Sequence, residues 1–326
     1  MRIVTLEEHI AFPAMINKIP KEKLRPQDQS PMMQQIMPKL EDITGERLQL
    51  MDESGITVQV LSAVNAGANL LSPEDAPAFA KEYNDMLAEK ISAQPDRFAA
   101  FAHLPTTNSV AAAQELERVV KKYHFVGALI NGLTNDEFLD DEKYAPIFQK
   151  AEELGVPIYL HPGLPPKAVI DAYYSHLPKH SGTILSIAGW GWHSETAIHV
   201  LRLIVSGIFD KYPKFKLIIG HMGEMLPIMM ARCDGMFKPG EAGNNQRSIS
   251  QTLKDQVYIT TSGIFTLPPL QTAIDTFGID NIMFSVDYPF SPNEKGKTFL
   301  DSIDLHIEDK EKIAYKNADR ILGLKV

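Results

Sequence analysis

Four apolar runs in this chain end in side chains that bind metals. VTLEEH carries Glu7 and His9, IYLHP carries His161, IIGHMGE carries His221 and FSVDYPF carries Asp287. A strand that ends in His, Asp or Glu and is followed by Pro or Gly holds that side chain where a rigid element opens into a loop. Imidazole nitrogens combined with carboxylate oxygens suit a divalent ion such as zinc or manganese, which polarises a substrate oxygen or activates water. One such run is weak evidence, because a lone histidine at a strand end is equally a hydrogen-bonded core residue. Four of them, dispersed from residue 7 to residue 287, point to one metal site assembled from strand ends.

The spacing within each run refines the roles. Residues two apart in a strand face the same way, so Glu7 and His9 share a face and Glu8 points oppositely. Glu224 follows His221 by three residues in a turn that starts the next helix. That pattern fits a histidine oriented by a carboxylate, and equally a Glu favoured by a helix dipole. Asp287 before Tyr-Pro reads alone as an Asx turn, yet at a strand end it can both touch a metal and reach a substrate. Cys233, the only cysteine, excludes an intrachain disulfide and any thiolate metal cluster. It reads as a small buried apolar side chain rather than a nucleophile.

Such a site needs strands that open on one rim. Apolar runs bounded by breakers predict eight strands, at 2–9, 58–64, 98–105, 125–131, 157–162, 216–221, 257–262 and 282–287. Helical spacing separates them, in ERLQLMDESG, SVAAAQELERVVKKY, EKYAPIFQKAEELG, ETAIHVLRLIVSGIFDKY, LPPLQTAIDTFG and the terminal EDKEKIAYKNADRILGL. Eight rounds of alternation predict an α/β fold of the (β/α)8 TIM-barrel type, forming a single domain over 1–326. An open doubly wound sheet is the alternative, but it expects a Gly-rich turn after its first strand, and EEHIAFP has no glycine. Two connections, 10–40 and 163–194, exceed the ~15 residues usual for loops and are expected to wall the pocket at the C-terminal rim.

Composition narrows the setting. The formal charge of −9 with no basic patch argues against nucleic acid as a partner. The run KKYH at 121–124 reads as a solvated helix end, where cations suit the dipole. No apolar stretch reaches the ~18 residues needed to span a bilayer, and with no basic segment leading into an apolar one at the N-terminus a secretory leader is not expected. A cytoplasmic protein with no membrane partner is expected.

These residues, with RLQLMDESGI, PDRFAAFAHLP, FVGALING, YLHPG, ETAIHVLRLIVSGIFDKYPKFKLIIGHMGE and ITTSG, resemble the amidohydrolase superfamily. Within it the chain looks like the decarboxylase branch typified by γ-resorcylate (2,6-dihydroxybenzoate) decarboxylase. The resemblance implies metal ligation by Glu7, His9, His161 and Asp287, with His221 beside the substrate and Glu224 supporting it. It implies a homo-oligomer, a dimer or tetramer, with Arg232 reaching a neighbouring subunit's pocket. The fourth strand ends in GALING, which places Asn131 as a substrate contact where a bridging lysine would otherwise stand, so one Zn2+ or Mn2+ ion is expected rather than two. The 10–40 and 64–72 (VNAGANLLS) segments depart from the branch's pattern, and both line the expected pocket.

The chemistry expected on this basis is non-oxidative decarboxylation of a small aromatic carboxylic acid, an ortho-hydroxybenzoate. Asp287 would donate a proton to the ring carbon that bears the carboxylate. A metal-dependent hydrolase of a lactone or amide, using an activated water, is the alternative that the same ligands permit. A binding barrel without activity is a third reading, and the complete ligand set argues against it.

Overall fold

The computed structural model describes residues 1–24, 30–65 and 67–324. Its first strand, β1 (Val4–Ile10), is buried along its whole length, including Glu7, Glu8 and His9. Burial on both faces is the mark of a parallel strand with other strands' side chains on one side and helices on the other. Each charged side chain in such a strand therefore requires a partner.

Eight further strands follow: β2 (Val58–Ala63), β3 (Phe98–Ala100), β4 (Ala102–His103), β5 (Ala128–Asn131), β6 (Ile158–His161), β7 (Leu217–Ile219), β8 (Val257–Thr260) and β9 (Ile282–Met283). All pairings are parallel and sequential, in the orders β1-β2-β3 and β4-β5-β6-β7-β8-β9. The third predicted strand is thus split at Phe101. Phe101 N–H donates to Leu61 on one side, at 2.9 Å, and Ala102 N–H donates to Gly127 on the other, at 2.8 Å. At the opposite seam a parallel bridge joins Glu8 to Tyr288, and His9 N–H donates to the Tyr288 carbonyl at 2.8 Å. The fold is the expected (β/α)8 TIM barrel.

Val4, Leu6, Val58, Val60, Phe101, Leu129, Tyr159, Ile218 and Met283 fill the barrel interior, with Ile321 and Leu322 of the terminal helix Asn317–Leu322 packed against them. Strict alternation from Leu6 would turn Glu7 outward. A register shift between Thr5 and Glu8 resets the phase, so that Glu7 and His9 both point into the barrel above Leu6.

The predicted helices form with local adjustments. In Ser109–Tyr123 the Asn108 side chain accepts from Ala111 N–H at 3.1 Å, and the basic run ends the helix at a left-handed His124. The long pattern after residue 195 is broken by Gly207 into Gly191–Val205 and Ile208–Lys211. Cys233 is buried, as expected of a small apolar side chain. Among the described residues no helix is long and apolar enough to cross a membrane.

Candidate active site

Glu7, His9, His161, His221 and Asp287 converge at the C-terminal ends of β1, β6, β7 and β9. Glu7 is anchored from below. Its Oε2 accepts from the Tyr159 hydroxyl, which lies two residues before His161 on the same face of β6, and from Thr260 Oγ1 at 3.2 Å. Its Oε1 faces His161 Nε2 at 3.2 Å and His221 Nε2 at 3.6 Å. The His161 Nδ1 lies 2.9 Å from the Pro162 carbonyl, which can only accept, so Nδ1 carries a proton and Nε2 faces the site. His9 stands edge-on to His161, with ring centroids 4.8 Å apart, and its Nε2 lies 3.2 Å from Asp287 Oδ1.

Two buried atoms in this cluster, Glu7 Oε1 and His9 Nε2, have no well-aligned hydrogen-bond partner among the described residues. Buried polar atoms are normally satisfied, so a carboxylate oxygen and an imidazole nitrogen left open side by side mark a position for a cation. Ligand atoms of Glu7, His9 and His161 lie within 4.8 Å of one another, the spacing a single ion can bridge. The oxygen and nitrogen donors present fit a divalent metal. Gly220 leaves room for the carboxylate: a Cβ there would lie 2.6 Å from Glu7 Oε2 and 3.0 Å from the Tyr159 hydroxyl.

After β7 the backbone takes an unusual course. His221, Met222, Gly223, Glu224 and Met225 all have positive φ, at 47°, 58°, 89°, 51° and 66°. The expected entry turn of a right-handed helix is thus a left-handed turn, and the helix Leu226–Met236 begins only after it. Left-handed geometry costs roughly 1–2 kcal/mol per non-glycine residue, so surrounding contacts must hold it. Glu224 supplies them: fully buried, it accepts from His221 Nδ1 through Oε1 and from His193 Nδ1 through Oε2, both at 2.7 Å. His193 Nε2 in turn lies 3.1 Å from the Ala188 carbonyl, inside the long 163–194 connection.

Charge is sorted within the cluster. Burial alone would raise the Glu7 carboxyl, but His221 first, then His161 and His9, hold it well below the usual carboxylate range. Burial, reinforced by the Glu7 carboxylate, pushes Asp287 up to about 7 against the pull of His221, His161 and His193. His221 is raised to about 10, because Glu7, Glu224 and Asp287 together outweigh the burial that opposes its charge. Burial drives His9 down to about 4 and keeps it neutral, the form that ligates metals. One carboxylate held ionised beside another held ready to carry a proton is the division that acid catalysis requires.

The remaining candidates lie around this centre. Asn131 sits opposite His161 in the β5–β6 register and donates its amide to the Asn65 carbonyl at 3.1 Å, pinning the 64–72 connection. Arg232 is exposed on Leu226–Met236 and makes no ion pair among the described residues. Its helix also exposes Ile228, Met229 and Met236. The 10–40 connection is tied back through the Lys39 carbonyl, which accepts from Arg47; its residues 25–29, and Ala66 of 64–72, lie outside the described residues.

Sequence reasoning missed His193, Tyr159 and Thr260. Tyr159 carried a usable signal, since it precedes His161 by two on one strand. His193 carried only a faint one, a histidine after tryptophan in the Gly-rich GWGWHSE.

Comparison with known proteins agrees with this geometry. A family model described as Amidohydrolase matches residues 9–324. Decarboxylase orsB of Emericella nidulans is 37% identical over 328 residues, covering 98% of this chain and 96% of that protein. The crystal structure of 2,6-dihydroxybenzoate decarboxylase complexed with 2,6-dihydroxybenzoate is 34% identical, with a TM-score of 0.89 over 99% of this chain and 100% of that one. A dihydroxybenzoic acid decarboxylase from Polaromonas sp. JS666, with bound manganese and the inhibitor 2-nitroresorcinol, is 35% identical, with a TM-score of 0.88 over 99% of this chain and 97% of that one.

Proposed function

Since the chain belongs to the amidohydrolase family, we propose that it is a metal-dependent carboxy-lyase that decarboxylates an ortho-hydroxybenzoate of the γ-resorcylate type. The observation that carries this reading is the open pair of Glu7 Oε1 and His9 Nε2, buried with Asp287 Oδ1 3.2 Å from that nitrogen. Glu7, His9, His161 and Asp287 would hold one ion, and the manganese of the Polaromonas relative favours that metal over zinc. Such an ion, when bound, orients the substrate's carboxylate and adjacent phenolic oxygen and neutralises their charge.

The chain's own residues do the rest. Asp287 gives its proton to the ring carbon that carries the carboxylate. The bond from that carbon to the carboxyl group then breaks, its electron pair restores the aromatic ring, carbon dioxide leaves, and Asp287 recovers a proton from solvent. Burial and the Glu7 carboxylate, which raise the proton affinity of Asp287 in the metal-free protein, suit it to this task. His221, held by Glu224, hydrogen-bonds a substrate oxygen. A homo-oligomer belongs to the same reading, with Arg232 of one subunit balancing anionic charge in the next; the exposed Ile228, Met229 and Met236 beside it support an interface there.

The test is carbon dioxide release from 2,6-dihydroxybenzoate, 2,3-dihydroxybenzoate, salicylate and 5-carboxyvanillate by chelator-treated protein before and after manganese is restored. Turnover of at least one acid, dependent on metal and abolished in Asp287→Asn with substrate binding retained, is expected. Hydrolysis of lactones or amides without any decarboxylation would overturn the proposal.

A further inference from the structure

Glu8 lies between Glu7 and His9 and faces away from both, out of the barrel, yet it is completely buried. Its surroundings differ from those of a simple ion pair. Oε1 accepts from the Val286 N–H and from Ser285 Oγ, each at 3.0 Å. Oε2 accepts from the Tyr288 N–H at 3.1 Å and faces Gln59 Nε2 at 3.5 Å. The two amides it grips are those on either side of Asp287.

Asp287 needs holding. Its φ of 73° lies in the left-handed region, where an L side chain is strained, and among the described residues its carbonyl alone has a local backbone partner, Ser291 N–H at 2.9 Å. Ordinary ladder bonding is also sparse along this stretch, where among the described residues the His9 N–H to Tyr288 carbonyl bond joins β1 to this segment. Leu6 and Glu7 N–H donate to Ser285 Oγ, at 3.1 and 2.7 Å, instead of to a backbone carbonyl. Below the His9–Tyr288 bond, side chains therefore stand in for the ladder where β1 meets the segment that carries Asp287. Behind Glu8, the buried Arg47 donates to the His9 carbonyl at 2.6 Å and to Gln59 Oε1 at 3.2 Å, and its guanidinium lies 4.6 Å from the centre of the Tyr288 ring.

We propose that Glu8 is a positioning residue, whose two carboxyl oxygens span the amides of residues 286 and 288 and so fix the Asp287 carboxyl against His9 and the metal position. The inference rests on the function proposed above. It extends that function to a residue that touches neither metal nor substrate. Glutamine in place of Glu8 keeps the shape but offers one acceptor where two amides and a hydroxyl need two, so one amide then meets an NH2 group.

The experiment is calorimetric titration of manganese into chelator-treated wild type, Glu8→Gln and Leu253→Ala, with thermal unfolding and kcat and KM on 2,6-dihydroxybenzoate for each. Leu253 is a buried core residue on Ile249–Gln256, a helix that supplies none of the site's side chains, and its truncation controls for lost stability alone. Glu8→Gln is expected to weaken manganese binding ~10–100-fold and to lower kcat by a similar factor. KM should change little, and Leu253→Ala should lower the melting temperature while keeping both affinity and kcat. If Glu8→Gln fails to fold, Ser285→Ala carries the test, with a smaller loss of affinity and kcat in the same direction. Wild-type affinity and kcat in a folded Glu8 or Ser285 variant would overturn the proposal, as would a parallel loss in Leu253→Ala. Manganese binding by the wild type without turnover would sink the functional reading and leave the affinity comparison to decide the role of Glu8.

Discussion

Replacing Glu224 with glutamine removes one negative charge from a fully buried position that two imidazoles share. The Nδ1 atoms of His221 and His193 each lie 2.7 Å from a different oxygen of that carboxylate. Glutamine offers one oxygen and one NH2 group, so one imidazole must change tautomer or lose its partner. A hydrogen bond to a charged group contributes about 1.5–3 kcal/mol, and one pKa unit corresponds to about 1.36 kcal/mol. His221, raised to about 10 by Glu7, Glu224 and Asp287 against the opposing effect of burial, should therefore titrate about one to two units lower in Glu224→Gln. The left-handed turn that Glu224 anchors should loosen as well, with a fall in kcat/KM of about 10–100-fold in manganese-loaded protein. NMR titration of the His221 ring in metal-free protein measures the first effect, and steady-state decarboxylation measures the second. A His221 titration unchanged in a folded variant, or a kcat/KM within about twofold of wild type, would refute the account of this triad.

Gly220→Ala keeps an acceptable backbone conformation, so its effect comes from a Cβ placed 2.6 Å from Glu7 Oε2. It should cost about 1–3 kcal/mol in urea unfolding and weaken manganese binding at least ~10-fold, as for a disturbed ligand support; unaltered affinity would count against Glu7 as a ligand. The pKa of His221 rises on folding from 6.5 to about 10, so its contribution to stability is full below pH 6.5 and is lost as the pH climbs through 10. The melting temperature of metal-free protein should fall from pH 7 to pH 10, and His221→Asn should flatten that slope in a thermal scan. Co-expressing Arg232→Ala with Asp287→Asn, each inactive alone, should restore partial activity through mixed subunits if Arg232 serves a neighbour's pocket; sedimentation confirms assembly, and no recovery in mixed oligomers would rule the role out.

The barrel was legible because buried parallel strands read as apolar runs, and the ends of those runs carry the polar residues. Glu7, His9, His161, His221 and Asp287 stood out since a charged residue closing an apolar run is conspicuous. Tertiary contacts that leave no periodic trace were not legible. The register shift that turns Glu7 inward depends on how β1 pairs with β2, and the left-handed turn at His221–Met225 is held by the bond of its own Glu224 to His193, 31 residues earlier. Glu8 was read as facing away from Glu7 and His9, as it does. Its grip on residues 286 and 288 joins positions some 280 apart in the chain, beyond the reach of any local pattern.

That separation governs when the centre can exist. Glu7 and His9 are made well before Ser285, Val286 and Tyr288, which satisfy the neighbouring Glu8 and follow it by some 280 residues. At about 5–20 residues per second, roughly 15–60 s of synthesis pass before the closing segment is available. Until then β1 has an open edge, and Glu8 has no amides to accept from. A nascent chain stalled in the middle of the barrel would thus present an unpaired strand edge, the feature that invites pairing with other chains. Metal supplied during translation would find no assembled centre, so loading must follow closure of the ring.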